Sequence, residues 1–455
     1  MSVRHDEGQH DRSLGTSALR MVLGIIFLAH APGVFGQKES EVPSPSQQRA
    51  PSVAPTPLKD LLAEAERTNP QIEAARQAWE AAKQVPSQVS TLPNPEFTLN
   101  QTNVGSPRPF SGYTNSAFAY IGLGVSQDLP YPGKLRLRGE MAKRDADIVQ
   151  QQYESLRRSV ITGVKSAYFQ LAYLEQTLAI LESDGQLLDQ VEKAAEARYR
   201  SGMGNQQDLL RAQVEQTKLV REISMHHLEA AKAEAQIKQL LNRPQSSPDI
   251  HAAELPTTPL ENTFEELLAA ADAQNPGISG AETEVAKTKL QVDLAHKDFY
   301  PDFNVEYTWE RTDPSQFRAY YVLKVGVLVP IYHSRKQRPE LAQAEADVNR
   351  SHSEAESQLQ QVAFEVRTAF DTEQEAAELL RIYRDGLLPQ TRAEFQSGLA
   401  AYQSNRQDFQ ALLASFLDVL HLDEEYWQSV AEHETALARL EELTGLSLRE
   451  QGTEK

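Results

Sequence analysis

The chain of 455 residues contains no cysteine. That excludes disulfides, thiolate metal sites, a cysteine nucleophile and lipidation at an N-terminal cysteine. Positive charge is scarce: 45 Lys and Arg stand against 64 Asp and Glu, a net charge of −19. Such a balance argues against a nucleic-acid partner. A mean hydropathy of −0.51 excludes a polytopic helical membrane protein. A β-barrel escapes that test, because its strands alternate apolar and polar residues. Proline is missing between Pro132 and Pro244 and again after Pro389, which leaves helices free to run without a break. No catalytic constellation is present, so neither enzyme activity, cofactor nor metal is expected. The histidines are scattered; His226 and His227 are adjacent and diverge by about 100° on a helix, unlike an i, i+4 metal pair. They are assigned, with His296, His333, His421 and His433, to solvated faces. Gly202-x-Gly204 is too short to cradle phosphate.

What is there begins with an address. Arg20 precedes the apolar run Met21 to Ala29, followed by the small residues of Ala31-Pro32-Gly33-Val34-Phe35-Gly36. This is the pattern of a secretory signal, assigned to 1–36, and the run is too short to span a bilayer, which needs about 20 residues. Residues 37–57 carry Pro43, Pro45, Pro51, Pro55 and Pro57 among Ser and Gln and read as a disordered leader.

The remainder is one unit written twice. Leu61-Leu62 and Asn69-Pro70-x-Ile72 recur 206 residues later as Leu267-Leu268 and Asn275-Pro276-x-Ile278, and Pro95-Glu96-Phe97 recurs as Pro301-Asp302-Phe303. Leu129-Pro130 matches Val329-Pro330 at an offset of 200. Chance supplies one such match, not an ordered series. The copies are assigned to 58–255 and 256–448, with a tail at 449–455. Each reads as a first helix (about 58–90, and 263–297), two extended segments, a long helix and a return helix.

In the extended segments apolar and polar residues alternate. Phe303, Val305, Tyr307 and Trp309 interleave with Asn304, Glu306, Thr308 and Glu310, and Tyr321, Leu323, Val325 and Val327 form one face of the next segment. Copy one has Phe97 and Leu99, then Ile121, Leu123 and Val125 against Gly122, Gly124 and Ser126. This is the period-two pattern of a strand with unlike faces, at the length of about 9–11 residues that a tilted strand needs to cross a bilayer. Aromatics near the strand ends (Phe110, Tyr113, Tyr300, Phe317, Tyr320) suit an interfacial girdle. Two hairpins of a soluble sandwich would alternate in the same way; strand length, export and the repeat favour membrane strands. Four strands cannot close a barrel, so the barrel must be shared among subunits, and physics alone permits a dimer or a larger ring.

Behind the first hairpin, Val160, Val164, Ala167, Leu171, Leu174, Leu178 and Leu181 step by fours and threes. Val362, Val366, Ala369, Glu373, Ala376, Leu380 and Tyr383 keep that register in copy two. The spacing predicts coiled-coil seams, with Glu373 as a polar layer in the second. A helix over 134–200 extends about 100 Å at 1.5 Å per residue. A rod and a tube share this periodicity.

At these residues the chain resembles the outer-membrane efflux protein family, the TolC-like channels, over about 58–448. The most specific pieces are Gln127-Asp128-Leu129-Pro130-Tyr131-Pro132-Gly133-Lys134, Tyr199-x-x-Gly202 followed by Gln207-Asp208-Leu209-Leu210-Arg211-Ala212-Gln213, and Asp408-Phe409-x-Ala411-Leu412-Leu413. Within the family it is most similar to the branch serving resistance–nodulation–division pumps, including heavy-metal exporters. The resemblance implies a mainly α fold with membrane β: a homotrimer whose four strands per chain complete a 12-stranded barrel continuous with an α-helical tunnel. It implies outer-membrane lipid around the barrel, a periplasmic adaptor (membrane fusion) protein and an inner-membrane efflux pump as partners, and passive transport. The lipid-facing candidates are then Phe97, Leu99, Ile121, Leu123, Val125, Phe303, Val305, Tyr307, Trp309, Tyr321, Leu323, Val325 and Val327. The family's closed periplasmic mouth corresponds to the two interhelical turns. Asp208 and Asp408 are candidates to line it, or simply to cap the return helices, with Arg198, Tyr199, Tyr402 and Arg406 holding it closed by side-chain bonds. Gly202 suits a left-handed position, and Asn405 is the next best residue for it. Two features depart from the family: many relatives carry a lipidated cysteine that this chain lacks, and the second turn is shorter. A periplasmic adaptor and a structural envelope coiled coil are the rival readings; the twofold repeat of strands speaks against the first.

Overall fold

The computed structural model describes residues 55–103, 119–312 and 318–449. The signal segment, the leader up to residue 54, and the loop residues Gly105, Pro107, Pro109, Phe110, Gly112, Tyr113, Pro314 and Phe317 lie outside the described residues. Three helices, α1 (Leu58–Thr68), α2 (Pro70–Ala82) and α3 (Val85–Ser90), lead to strands β1 (Glu96–Thr102) and β2 (Tyr120–Leu129). The 67-residue helix α4 (Lys134–Arg200) and the return helix α5 (Gln206–Leu240) follow. The order then recurs: α6 (Phe264–Gln274), α7 (Pro276–Lys297), β3 (Asp302–Arg311), β4 (Tyr320–Leu328), α8 (Gln337–Ile382), a π-helical turn (Tyr383–Leu387), α9 (Leu388–Gln403) and α10 (Phe409–Thr444). No helix among the described residues is long and apolar enough to cross a membrane.

The single first helix expected in each half is broken, and the duplicated Asn-Pro explains it. The residue before a proline is pushed from helical to extended backbone, and Asn69 and Asn275 lie at ψ 121° and 122°. Each caps the helix after it, Asn69 Oδ1 accepting from Gln71 N and Ile72 N, Asn275 Oδ1 from Gly277 N and Ile278 N. Each also donates its amide to the end of a return helix: Asn69 Nδ2 to Leu240 O at 2.8 Å and Asn275 Nδ2 to Leu443 O at 3.0 Å. One motif therefore ends one helix, starts another and docks both on a third. The leader also ends earlier than its composition suggests. Thr56 donates to His251 O and accepts from the Tyr168 hydroxyl, both at 2.9 Å, so it is fixed against the fold.

The four strands form one antiparallel sheet in the order β1-β2-β3-β4. Directly opposed residues share a face. Leu99 opposes Leu123, which opposes Trp309, which opposes Tyr321; Phe97, Val125, Tyr307 and Leu323 form a second row. Phe303 opposes Val327 and Val305 opposes Val325, while Ile121 lies between Gln101 and Arg311. All the apolar strand residues named above thus gather on one face. Thr98, Gly124 and Thr308, with Glu306 paired to Lys324 at 3.2 Å, occupy the other.

The first predicted seam is buried throughout and the second as far as Leu380; Tyr383 is half-buried in the π-helical turn. Every α4 seam residue from Val160 to Leu181 is at most 9% exposed, and Glu373 is 1% exposed within the α8 seam. The second long helix does not stop at Pro389. Its missing N–H and its ring cannot follow a regular α turn; the wider π turn just before it carries the chain past, with Leu388 N bonding Tyr383 O.

Candidate functional site

The far ends of the two helical hairpins close in the same way. After α4, Gly202 N bonds Tyr199 O (3.0 Å) and Met203 N bonds Arg198 O (2.9 Å). After α9, Asn405 N bonds Tyr402 O (3.1 Å) and Arg406 N bonds Ala401 O (2.8 Å). This helix-ending geometry requires a left-handed residue, and Gly202 (φ 74°) and Asn405 (φ 59°) supply it. The second turn is the shorter, yet keeps the same termination.

One side chain ties the turns together. Arg198 Nη1 donates to the carbonyls of Tyr402 (3.2 Å) and Gln407 (3.5 Å), and Nη2 to the carbonyl of Met203 (3.2 Å) and to Asn405 Oδ1. Its guanidinium lies 4.3 Å from the centre of the Tyr402 ring. That ring is wholly buried and meets Phe409 edge to face at 5.8 Å. Burial pushes the Tyr402 phenol up from its ordinary pKa, and its hydroxyl has no hydrogen-bond partner. Beneath lies an apolar core drawn from both hairpins, including Val191, Ala212, Leu412 and Phe416.

Of the residues expected here, the fold brings together Arg198, Tyr402 and Asn405, with Gly202 shaping the first turn. Among the described residues Tyr199 and Arg406 make no such bonds; both are exposed. Asp408 caps α10, its Oδ1 accepting from Ala411 N at 2.8 Å. Asp208 does not cap α5. Asn205 holds the N-cap position and Asp208 stands in the first turn, where the helix dipole favours a carboxylate but leaves it free of the capping bond.

Two polar layers interrupt the hairpin cores; the Glu373 layer was expected without its partner, and the Asp184 layer was missed. Asp184 on α4 is 5% exposed, with Oδ2 unpaired. Burial, then the charge of Asp423 on α10, pushes its carboxyl up to about 6. Asp423 is paired with Arg392 at 2.6 Å. In the other layer Glu373 finds its partner: His433 Nε2 lies 3.1 Å from Glu373 Oε1, both buried, with Glu434 Oε1 3.5 Å from Nδ1 and Arg449 3.2 Å from Glu434. Burial opposes charge on this imidazole, but the two carboxylates outweigh it and raise His433 to about 9. The assignment of the histidines to solvated faces is therefore corrected for His433 (3% exposed) and His226 (8%). The carboxylates facing their Nε2 atoms, Glu373 and Glu424, sit on other helices, beyond the reach of local periodicity. His227, His296, His333 and His421 are exposed.

At the opposite end, the strand-to-helix junction has its own lock. Lys134, 3% exposed, reaches Asp298 and Asp302, each at 3.0 Å, and Tyr131 N donates to Asp302 Oδ1 at 2.7 Å. Two of the quoted motifs thus meet, a contact that the buried lysine, once placed, makes necessary.

Twice-repeated helical hairpins rising from one amphipathic sheet are the architecture of a TolC-like outer-membrane channel subunit. Residues 61–243 and 267–440 match the family model described as outer membrane efflux protein, and the chain belongs to that family. Its members are outer-membrane efflux channels, not enzymes. The solved channel OprN is similar at 20% identity and TM-score 0.74, over 86% of this chain and 90% of that one. CusC is similar at 17% and 0.73, over 85% and 91%, and VceC of Vibrio cholerae at 15% and 0.72, over 85% and 96%. Such identities speak for the fold alone. No curated protein matches the chain.

Proposed function

We propose that three copies of this chain, exported by the segment 1–36, build one 12-stranded outer-membrane pore continuous with a helical tunnel. It is a passive exit duct of a tripartite efflux system, opened by a periplasmic adaptor and driven by an inner-membrane pump. The observation that carries this reading is the sheet. Its apolar face is exposed in the single chain (Phe97 79%, Tyr321 67%, Val325 63%), and β1 and β4 each keep one unpaired edge among the described residues. Exposed apolar faces of this size mark a partner or a membrane. An open edge in lipid costs several kcal/mol for each unpaired backbone group, which closure by neighbouring copies removes. The thirteen lipid-facing candidates then meet hydrocarbon, and Thr98, Gly124, Thr308 and Glu306 face the lumen. The repeats 58–255 and 256–448 supply alternate walls of the tunnel, and the turns around Gly202 and Asn405 form its closed periplasmic mouth. There Asp208 and Asp408, each tripled by symmetry, attract cations. Selection of cargo falls to the pump.

The tandem repeat supports one register for the missing ladder. Leu129 on β2 opposes Phe303 on β3. Carrying β2 forward by the 200-residue offset to β4, and β3 back by 206 to β1, sets Val329 opposite Phe97 and Leu328 opposite Thr98 of the next copy. The chain has no cysteine, so the test is clean. Thr98→Cys with Leu328→Cys should give oxidised ladders ending at a trimer, and the purified protein should conduct in planar bilayers. Thr98→Cys with Lys324→Cys, out of register by four residues, should not cross-link. A protein that stays monomeric and soluble without detergent, and does not conduct, refutes the reading.

A further inference from the structure

His226 is the unexplained group in the hairpin walls. Its imidazole is buried, Nδ1 has no hydrogen-bond partner, and Nε2 lies 3.4 Å from Glu424 Oε1. That separation exceeds the usual hydrogen-bond range of about 2.7–3.2 Å. Glu222 stands one turn before His226 on α5, on the same face, and Glu424 reaches in from α10. One donor atom from each of the three lies within 4.8 Å of the others.

These distances have a simple chemical reading. Zinc binds imidazole nitrogen and carboxylate oxygen at about 2.0–2.2 Å, so two of its ligands on a tetrahedron stand about 3.4 Å apart. The ligands' surroundings also fit. The Tyr173 hydroxyl, on α4, donates to Glu424 Oε1 at 3.3 Å and orients that carboxylate. On the far side of the ring, Glu229 Oε2 stands 3.7 Å from Nδ1, close by but beyond hydrogen-bond range. A carboxylate behind a ligating histidine is the usual support of such a site.

We propose that Glu222, His226 and Glu424 bind a divalent transition-metal ion, with Tyr173 orienting Glu424 and Glu229 beside the far face of the ring. One imidazole and two carboxylates suit Zn²⁺, Cu²⁺ or Ni²⁺ and disfavour soft monovalent ions, which need sulfur. The ion joins α5 of the first half to α10 of the second and so links the two return helices directly. The site is complete within one chain and does not depend on the oligomer proposed above.

The test uses the full chain in detergent, stripped with chelator and titrated with ZnCl₂ by calorimetry and thermal melting. One zinc per chain is expected, with a rise in melting temperature that His226→Ala abolishes and Glu424→Gln weakens at least tenfold in affinity. His227→Ala, altering the exposed neighbour, should leave both intact, and Mg²⁺ at the same concentration should produce no rise. X-ray absorption at the zinc edge should report nitrogen and oxygen ligands only. Wild-type affinity in both His226→Ala and Glu424→Gln, or equal responses to Mg²⁺ and Zn²⁺, overturns the site. Should His226→Ala fail to fold, the partly exposed Glu424→Gln decides alone.

Discussion

Arg198→Ala is the sharpest test of how the two hairpins are held at their turns. The guanidinium bonds three carbonyls and one amide oxygen across both turns and covers the Tyr402 ring. Hydrogen bonds from a charged donor contribute about 1.5–3 kcal/mol each, and a cation over an aromatic ring about 0.5–2 kcal/mol. The bonds share one half-buried group that water partly screens, and Nη1 to Gln407 O is long at 3.5 Å. Their joint loss is therefore about 2–4 kcal/mol, well below the sum. If the closed turns depend on this contact, the equilibrium between closed and open forms shifts by about 30- to 1,000-fold, at tenfold for each 1.4 kcal/mol. Arg198→Lys keeps the charge but not the planar fork, and should lose about half. The assay is single-channel conductance of the purified protein in planar bilayers, alongside sensitivity of expressing cells to a large antibiotic that the closed channel excludes. Arg198→Ala should raise open probability strongly while circular dichroism shows an intact helical fold. Unchanged conductance and sensitivity in a folded variant would refute the reasoning.

Three other perturbations follow from the polar layers and the junction. Asp184 has its pKa raised from 3.8 to about 6, so the folded state holds its proton more tightly than the unfolded chain. Its contribution is favourable below about pH 4 and is lost as pH rises through about 6. Asp184→Asn should raise stability by about 1–3 kcal/mol at pH 8 and by little at pH 4.5; equal melting shifts at both pH values would exclude burial of the charge as the cause. His433 runs in the same direction from the opposite charge: an imidazole raised from 6.5 to about 9 stabilises, as a paired cation, below pH 6.5, and that stability fades as pH climbs through 9. Glu373→Leu alone should cost about 3 kcal/mol at pH 7 by stranding the buried cation, and Glu373→Leu with His433→Leu should recover most of it; additive losses in a denaturation cycle would sever the pair. Lys134→Met leaves Asp298 and Asp302 without their cation at the sheet's base and should destabilise by about 2 kcal/mol, read as a lower melting temperature that rises again with Asp302→Asn.

How far the residues alone reach depends on what each feature senses. The seam from Val160 to Leu181 and the alternation from Phe303 to Trp309 were legible because burial there follows a fixed local period. The break at Asn69 and Asn275 was legible in principle, since Asn-Pro both caps and extends; read only as a repeat marker, it hid a helix boundary. Asp208 misled for a related reason. The longer first turn moves the cap back to Asn205, and only the turn's actual geometry reveals that shift. Glu373 meets His433, Asp184 faces Asp423 and His226 faces Glu424 from helices remote in sequence, and no short window along the chain contains both members of these three pairs.

The two halves are equal in plan but not in what they leave uncovered. Lys134, after β2, is buried against Asp298 and Asp302 of the second half. The stretch after β4, from Ile331 to Lys336, is exposed throughout. Inside one chain only the first junction has the other half beside it. In the trimer proposed above, the 206-residue offset that carries Asp302 back to Glu96 would set the first half of another copy beside the second junction. Glu96 lies at the start of β1, and β1 is the strand whose outer edge is open. In that trimer the open edge and the exposed junction would meet the same neighbour, while the exposed apolar face meets lipid. A duplicated unit has satisfied one of its two junctions internally, and the proposed trimer would satisfy the other with a neighbour.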